Sequence, residues 1–231
     1  MLIIFTRWII SCASWSECGD AMNAPYQLAI LDFDGTLADS LGVFVRSYNE
    51  TAAAFGLLPI APHQFDELRM LGAREISRRL RVPAWKTPFI VRRVRDLMTR
   101  RVHEVSLFDG VRDVLTQLAT RGVTLALVSS NTESNVRRVL GSELSALFRY
   151  YECGVSIFGK AVRFSRLLRT TRIEPVRVIC IGDEVRDAEA AARTGIDFGA
   201  VTWGYSAPAA LEQTAPRFMF KSVADLLRIA A

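Results

Sequence analysis

Histidine and patterned cysteine are scarce in this chain. Its 231 residues include 2 histidines and 4 cysteines. His63 and His103 stand far apart and have no ligand spacing, so neither is a metal candidate. Cys12, Cys18, Cys153 and Cys180 form neither a paired zinc pattern nor a disulfide framework. Cys180 sits in an apolar run and reads as core packing. A reducing, cytoplasmic compartment is the simplest expectation. Long hydrophobic runs are also missing. Met1 to Ile10 is apolar apart from Thr6 and Arg7, far shorter than the roughly 20 residues of a membrane span, so stable membrane insertion is not expected. There is no internal repeat, low-complexity tract, zinc finger or aromatic-interleaved basic track. Nucleic-acid binding is therefore not expected, although the formal net charge is +5. The excess is local. Residues 63–105 carry 11 Lys/Arg against 5 Asp/Glu, and the rest of the chain is close to neutral. Such a segment is a solvated face, or a field that attracts an anionic small substrate.

With half its residues hydrophobic, the chain is long enough for one domain, or one domain with an insert. Residues 1–25 read as an uncharacterised extension. Arg7 lies inside the apolar run, where a cleaved export signal would be basic before it. Met22 is an alternative start, because Asn23-Ala24-Pro25-Tyr26 leads straight into an apolar stretch. From residue 41 to about 105 the apolar residues recur at helical spacing and no strand is evident. Leu41, Phe44, Val45, Tyr48, Ala52 and Phe55 form one stripe, closed by Gly56. Residues 65–81 give one or two short helices broken near Gly72, and Pro83 and Pro88 bracket a turn. A second stripe runs from Ile90 to Val102.

Outside that segment, strands alternate with helices. Strands are expected at 28–31, 123–128, 150–155, 176–181 and 201–203, with an edge strand at 218–220. This rhythm predicts an α/β fold: a Rossmann-like parallel sheet with helices on both faces. Residues 26–40 and 106–231 would form the core domain, and 41–105 a small helical cap inserted after the first core strand.

The strands end in chemically informative residues. Leu28 to Leu31 stops at Asp32, followed by Phe33-Asp34-Gly35-Thr36. The second core strand stops at Ser129-Ser130-Asn131, a later one at Gly182-Asp183, with Asp187 four residues on, and Gly159-Lys160 lies between them. Strand ends of a parallel sheet share one edge, where such folds bind ligands. Several carboxylates suit a hard divalent cation such as Mg2+, and a lysine and a hydroxyl complete a phosphate site. Asp32 would attack phosphorus. Asp34 would protonate the leaving alcohol and later deprotonate water. Lys160 and Mg2+ would neutralise phosphoryl charge, and Ser129 with nearby backbone N–H groups would hold its oxygens.

Together these stretches resemble the haloacid dehalogenase-like (HAD) hydrolase superfamily. Asp32-Phe33-Asp34-Gly35-Thr36 is similar to its first motif, Ser129 to the second, Lys160 to the third, and Gly182 to Asp187 to the fourth. The resemblance implies that Asp32, Asp34 (through its backbone carbonyl) and Asp183 hold Mg2+, with Asp187 supporting the metal or pairing with Lys160. It also implies that 41–105 is the cap that selects the leaving group, as in phosphoglycolate phosphatase-like enzymes. Ser130, Asn131, Arg69 and Arg74 are the candidate substrate contacts, and the partner is a small phosphorylated metabolite met by a monomer or homodimer. Dehalogenation at carbon needs no Mg2+, so Asp183 argues against it. A phosphosugar mutase shares every core motif. A non-catalytic binding protein would not require the whole set, and a receiver domain would not carry the long helical insert.

Overall fold

The structure is a computed structural model that describes residues 26–154 and 159–230. The expectations for residues 1–25, and for Val155 at the end of one strand, lie outside the described residues.

The first core strand, β1 (Leu28–Leu31), is followed by the short β2 (Ala38–Asp39). Four cap helices come next: α1 (Leu41–Phe55), α2 (Phe65–Arg69), α3 (Ala73–Arg79) and α4 (Thr87–Arg100). The chain re-enters the core through β3 (Ser106–Leu107) and continues as α5 (Val111–Thr120), β4 (Thr124–Val128), α6 (Glu133–Leu147) and β5 (Phe148–Glu152). The second half runs α7 (Lys160–Thr171), β6 (Val178–Gly182), α8 (Val185–Thr194), β7 (Asp197–Val201), α9 (Pro208–Glu212) and β8 (Phe218–Phe220), and closes with a 3-10 segment, Val223–Ala230.

Six strands form one sheet in the order β5-β4-β1-β6-β7-β8, with every pairing parallel. β1 is central, and its two faces explain its unbroken apolar sequence. Ala29 and Leu31 pack with Val114, Leu115 and Leu118 of α5 and Val136 and Leu140 of α6. Leu28 and Ile30 pack on the other side with Phe164 and Leu167 of α7 and Ala188 and Ala191 of α8. From β1 the chain winds outward to β4 and β5, then returns to the opposite side for β6, β7 and β8. This reversal opens a crevice at the carboxyl end of β1.

The cap has its own small core of Tyr48, Ala52, Ile60, Leu68 and Leu80. Gly56 ends α1 in the left-handed region at φ 63°, as glycine allows without steric cost. The base of the cap is tied by an antiparallel ribbon of β2 and β3, pairing Ala38 with Leu107 and Asp39 with Ser106. No helix among the described residues is long and apolar enough to cross a membrane.

Four expectations need correction. The strand expected at 150–155 lies at Phe148–Glu152; Gly154 turns away at φ 67° and gives its N–H to the carbonyl of Asn131 at 2.7 Å. The strand expected at 201–203 lies at 197–201. Val201, Thr202 and Trp203 have strand character, but Trp203 has already left the sheet and donates through Nε1 to the carbonyl of Thr36 at 3.2 Å. The strand expected from Val176 begins at Val178, because Pro175 starts a 3-10 turn at Pro175–Arg177 and leaves Val176 exposed. Pro88 bounds no turn. It lies in the first turn of α4, where its missing N–H costs nothing.

Candidate active site

The site is built where β1 ends. The N–H of Asp32 donates to the carbonyl of Ile181 at 3.0 Å, extending the β1–β6 ladder by one residue. Its carboxylate Oδ1 accepts from the N–H of Phe33 at 2.7 Å, and the residue is buried. The chain then turns tightly, with the carbonyl of Phe33 accepting from the N–H groups of Thr36, Leu37 and Ala38. Gly35 makes the turn possible at φ +79°, and a Cβ there would sit 2.2 Å from Oδ2 of Asp183. Thr36 donates through its hydroxyl to Oδ1 of Asp183 at 2.8 Å. First-motif turn and fourth-motif acid are thus locked together.

Asp183 follows β6, and Asp187 lies in the first turn of α8. Both are fully buried. Asp183 accepts from the N–H of Tyr205 through Oδ2 at 2.7 Å. Asp187 accepts from the N–H of Glu184 at 3.2 Å and from Lys160 Nζ at 2.5 Å. The same ammonium reaches Oδ2 of Asp32 at 2.5 Å, so the lysine at the start of α7 bridges two acids from different strand ends. Ser129, at the end of β4, is fully buried, and its Oγ accepts from the N–H of Asn131 at 3.0 Å. Asp34 turns away from the other acids, and its carboxylate accepts from Asn131 Nδ2 at 3.1 and 3.3 Å.

Electrostatics follow from this crowding. Burial pushes the Asp32 carboxyl up to about 7; Lys160 pulls against that rise and Asp187 adds to it. Asp183 is held well above the usual carboxylate range by burial, and Glu184, Asp32 and Asp187 add repulsion. Asp34 is also raised by burial, opposed by hydrogen bonds from Ser40 and Asn131. Burial would lower the Lys160 ammonium, but Asp187 and Asp32 overcome it and leave it raised.

Carboxylate oxygens of Asp32, Asp183 and Asp187 lie within 4.8 Å of one another. The Lys160 ammonium pairs with Asp32 and Asp187, while Glu184 and Arg186 pair with each other. The residues fit a hard divalent cation: the donors are all oxygen, and three acids are buried together beside one lysine, where burial first and mutual repulsion second raise Asp32 and Asp183.

The cap covers this edge of the sheet, and between them lies a cavity of about 310 Å3 whose lining includes Asp34, Ser130 and Asn131. Arg69 also lines it, but its Nε and Nη2 donate to the carbonyls of Tyr205 and Gly204 at 3.1 and 2.8 Å. Its own carbonyl accepts from the N–H of Ala207 at 2.8 Å. Arg69 therefore latches the cap to the loop that presents Tyr205 to Asp183. Arg74 lies exposed on α3. Glu184 and Arg186, inside the fourth motif, also line the cavity, and Arg186 Nε is buried without a hydrogen-bond partner. Tyr205 was missed outright. Its hydroxyl shares a hydrogen bond of 3.0 Å with Ser40, and no motif spacing signals it.

Comparison with known proteins agrees with this geometry. The profile of the haloacid dehalogenase-like hydrolases matches residues 29–201. A phosphoglycolate phosphatase from Synechococcus elongatus is 35% identical over 203 residues, covering 87% of this chain and 96% of that protein. A tyrosine-protein kinase, PtkA, from Mycobacterium tuberculosis is 30% identical over 203 residues, 81% of this chain and 66% of that protein. Among solved structures, a haloacid dehalogenase-like family hydrolase from Streptococcus pneumoniae shares the fold, with a TM-score of 0.75, 21% identity, and coverage of 88% of this chain and 97% of that one. The chain belongs to the haloacid dehalogenase-like hydrolases.

Proposed function

We propose that the protein hydrolyses a small phosphate monoester through an aspartyl-phosphate on Asp32. The observation that carries this reading is the convergence of Asp32, Lys160, Asp183 and Asp187 in one buried cluster at the end of β1. Asp32, Asp183 and Asp187 would hold Mg2+, which when bound neutralises phosphoryl oxygens. Lys160 orients the Asp32 carboxylate and adds positive charge beside the phosphoryl group. Ser129 and the N–H groups after β4 hold phosphoryl oxygens. Asp34, at the cavity wall, gives a proton to the departing alkoxide and then takes one from the attacking water. Ser130 and Asn131 contact the substrate from the core side. The domain boundaries follow: residues 41–105 as cap, and 26–40 with 106–231 as catalytic core. Cys153 and Cys180 are free thiols, as a reducing cytoplasmic compartment would keep them.

The test is phosphate release from a panel of phosphorylated metabolites, with and without Mg2+. Phosphoglycolate belongs on the panel because the Synechococcus relative bears its name. Mg2+-dependent release from at least one small monoester is expected, and no release from any of them overturns the reading.

The cation can be tested without turnover. A carboxyl raised in the folded state keeps its proton where the unfolded chain has lost it, so its contribution to stability is present at low pH and lost as pH rises through the folded pKa. For Asp32 that window runs from the usual carboxylate range to about 7. At pH 8 the acids are ionised and a cation relieves their repulsion; at pH 5 protons already do so. Millimolar Mg2+ should therefore raise the thermal midpoint by about 5 °C at pH 8 and by much less at pH 5. Equal shifts at both pH values, or none, would remove the acid cluster as the cation site.

A further inference from the structure

The cavity between cap and core is built for an apolar guest. Its wall away from Asp34 comes from cap side chains such as Phe44, Val45, Ile90, Val91, Val94 and Met98. The core contributes Asp34, Ser130, Asn131, Glu184, Arg186 and Tyr205, and the cap adds the polar groups of Arg69, Ser77, Thr87 and Arg95 to its mainly apolar wall. Asp34 marks where the ester oxygen must lie during proton transfer, so the rest of the leaving group extends from there into the cap.

Two features set the chemistry of that leaving group. The volume, about 310 Å3, falls in the range of small-molecule sites, roughly 300–1,000 Å3. A two-carbon acid such as glycolate would fill little of it. The charge supply is also wrong for a second anion. Arg69 spends its donors on the carbonyls of Gly204 and Tyr205, Arg186 pairs with Glu184, and Arg95 is likewise engaged. A carboxylate placed against Val94 and Ile90 would lose its hydration without gaining a dedicated partner. An alkyl or aryl body would displace water from that wall at no such cost.

We infer that the substrate is a phosphate monoester of an alcohol with a largely apolar body, bigger than glycolate. The inference rests on the phosphatase reading above and names the substrate class of the same site. The alcohol leaves with the proton of Asp34, the phosphoryl group passes to Asp32, and water then releases it as inorganic phosphate, so no further reactant is required.

The experiment uses the full chain with Mg2+ and a series of n-alkyl monophosphates from ethyl to octyl, whose leaving alcohols differ little in acidity, alongside phosphoglycolate. Phosphate release is measured for each, and binding of ethyl- and hexylphosphonate is followed calorimetrically. We expect kcat/KM to rise by about two- to fourfold per methylene until the cavity is full, with hexylphosphonate binding more tightly than ethylphosphonate. Val91→Phe, which intrudes on the wall, should cut the hexyl-to-ethyl preference at least about tenfold. A flat or falling series with phosphoglycolate as the best substrate overturns the apolar leaving group and leaves the phosphatase reading intact. No release from any ester overturns the phosphatase reading, and this inference with it.

Discussion

Asp32→Asn should abolish phosphate release, lowering turnover by at least about 10^4-fold, the scale on which loss of a covalent nucleophile is felt. The carboxylate is placed to attack. It is buried, one oxygen is fixed by the N–H of Phe33, and the other faces Lys160. An amide of the same shape keeps the packing but has no comparable nucleophilic lone pair. The substitution should leave the fold standing. Lys160 keeps Asp187 as its partner at 2.5 Å, so no unpaired ammonium is created, which is the usual reason that breaking a buried pair is costly. Burial already disfavours the charged form of Asp32. In the absence of divalent cation at pH 8, the variant should therefore unfold at a temperature no lower than the parent. It should also gain less than the parent from added Mg2+. A folded variant that retains turnover within tenfold of the parent would remove Asp32 as the nucleophile.

That prediction could be framed from the sequence because a strand buried on both faces leaves few readings for acids at its end. Leu28 to Leu31 needs helices on either side, and the structure supplies them. The convergence with Asp183 and Lys160 was legible for the same reason: parallel strands share one carboxyl edge. The less legible parts depend on docking between distant segments. The role of Arg69 is set by the carbonyls of Gly204 and Tyr205, some 135 residues away, and its own neighbourhood in α2 gives no hint of them. The strand at Asp197–Val201 was displaced in register because Asp197 and Gly199 interrupt its apolar pattern. Gly199 is there for packing, since a Cβ would lie 2.5 Å from the ring of Phe220. The apolar wall of the cavity was hidden more deeply. Val94 and Ile90 belong to the stripe of α4 expected to pack into a core. Periodicity identifies an apolar face, but cannot say whether protein or substrate will cover it.

Asp34→Asn should divide the reaction into two parts. Asp34 lies at the cavity wall, with its carboxylate held by Asn131 Nδ2 at 3.1 and 3.3 Å. Burial raises its pKa, which favours the protonated acid that an alkyl leaving group requires. General acid–base groups contribute about 10^2–10^4-fold, and with alkyl phosphates the variant should lose that much in the first step. A nitrophenyl phosphate is different, because nitrophenolate departs without a proton. Here the variant should still transfer phosphorus to Asp32 and release a burst of about one nitrophenolate per enzyme. It should then stall, because the Asn131-held amide cannot take a proton from the attacking water. The pH profile gives an independent reading. In the parent, alkyl ester cleavage should fall as pH rises through the raised pKa of Asp34, since the proton to be donated is lost; in the variant that alkaline limb should be absent. A loss of equal size in the first step for alkyl and nitrophenyl esters, with no burst, would show that Asp34 only positions substrate, and would move the acid role elsewhere on the cavity rim.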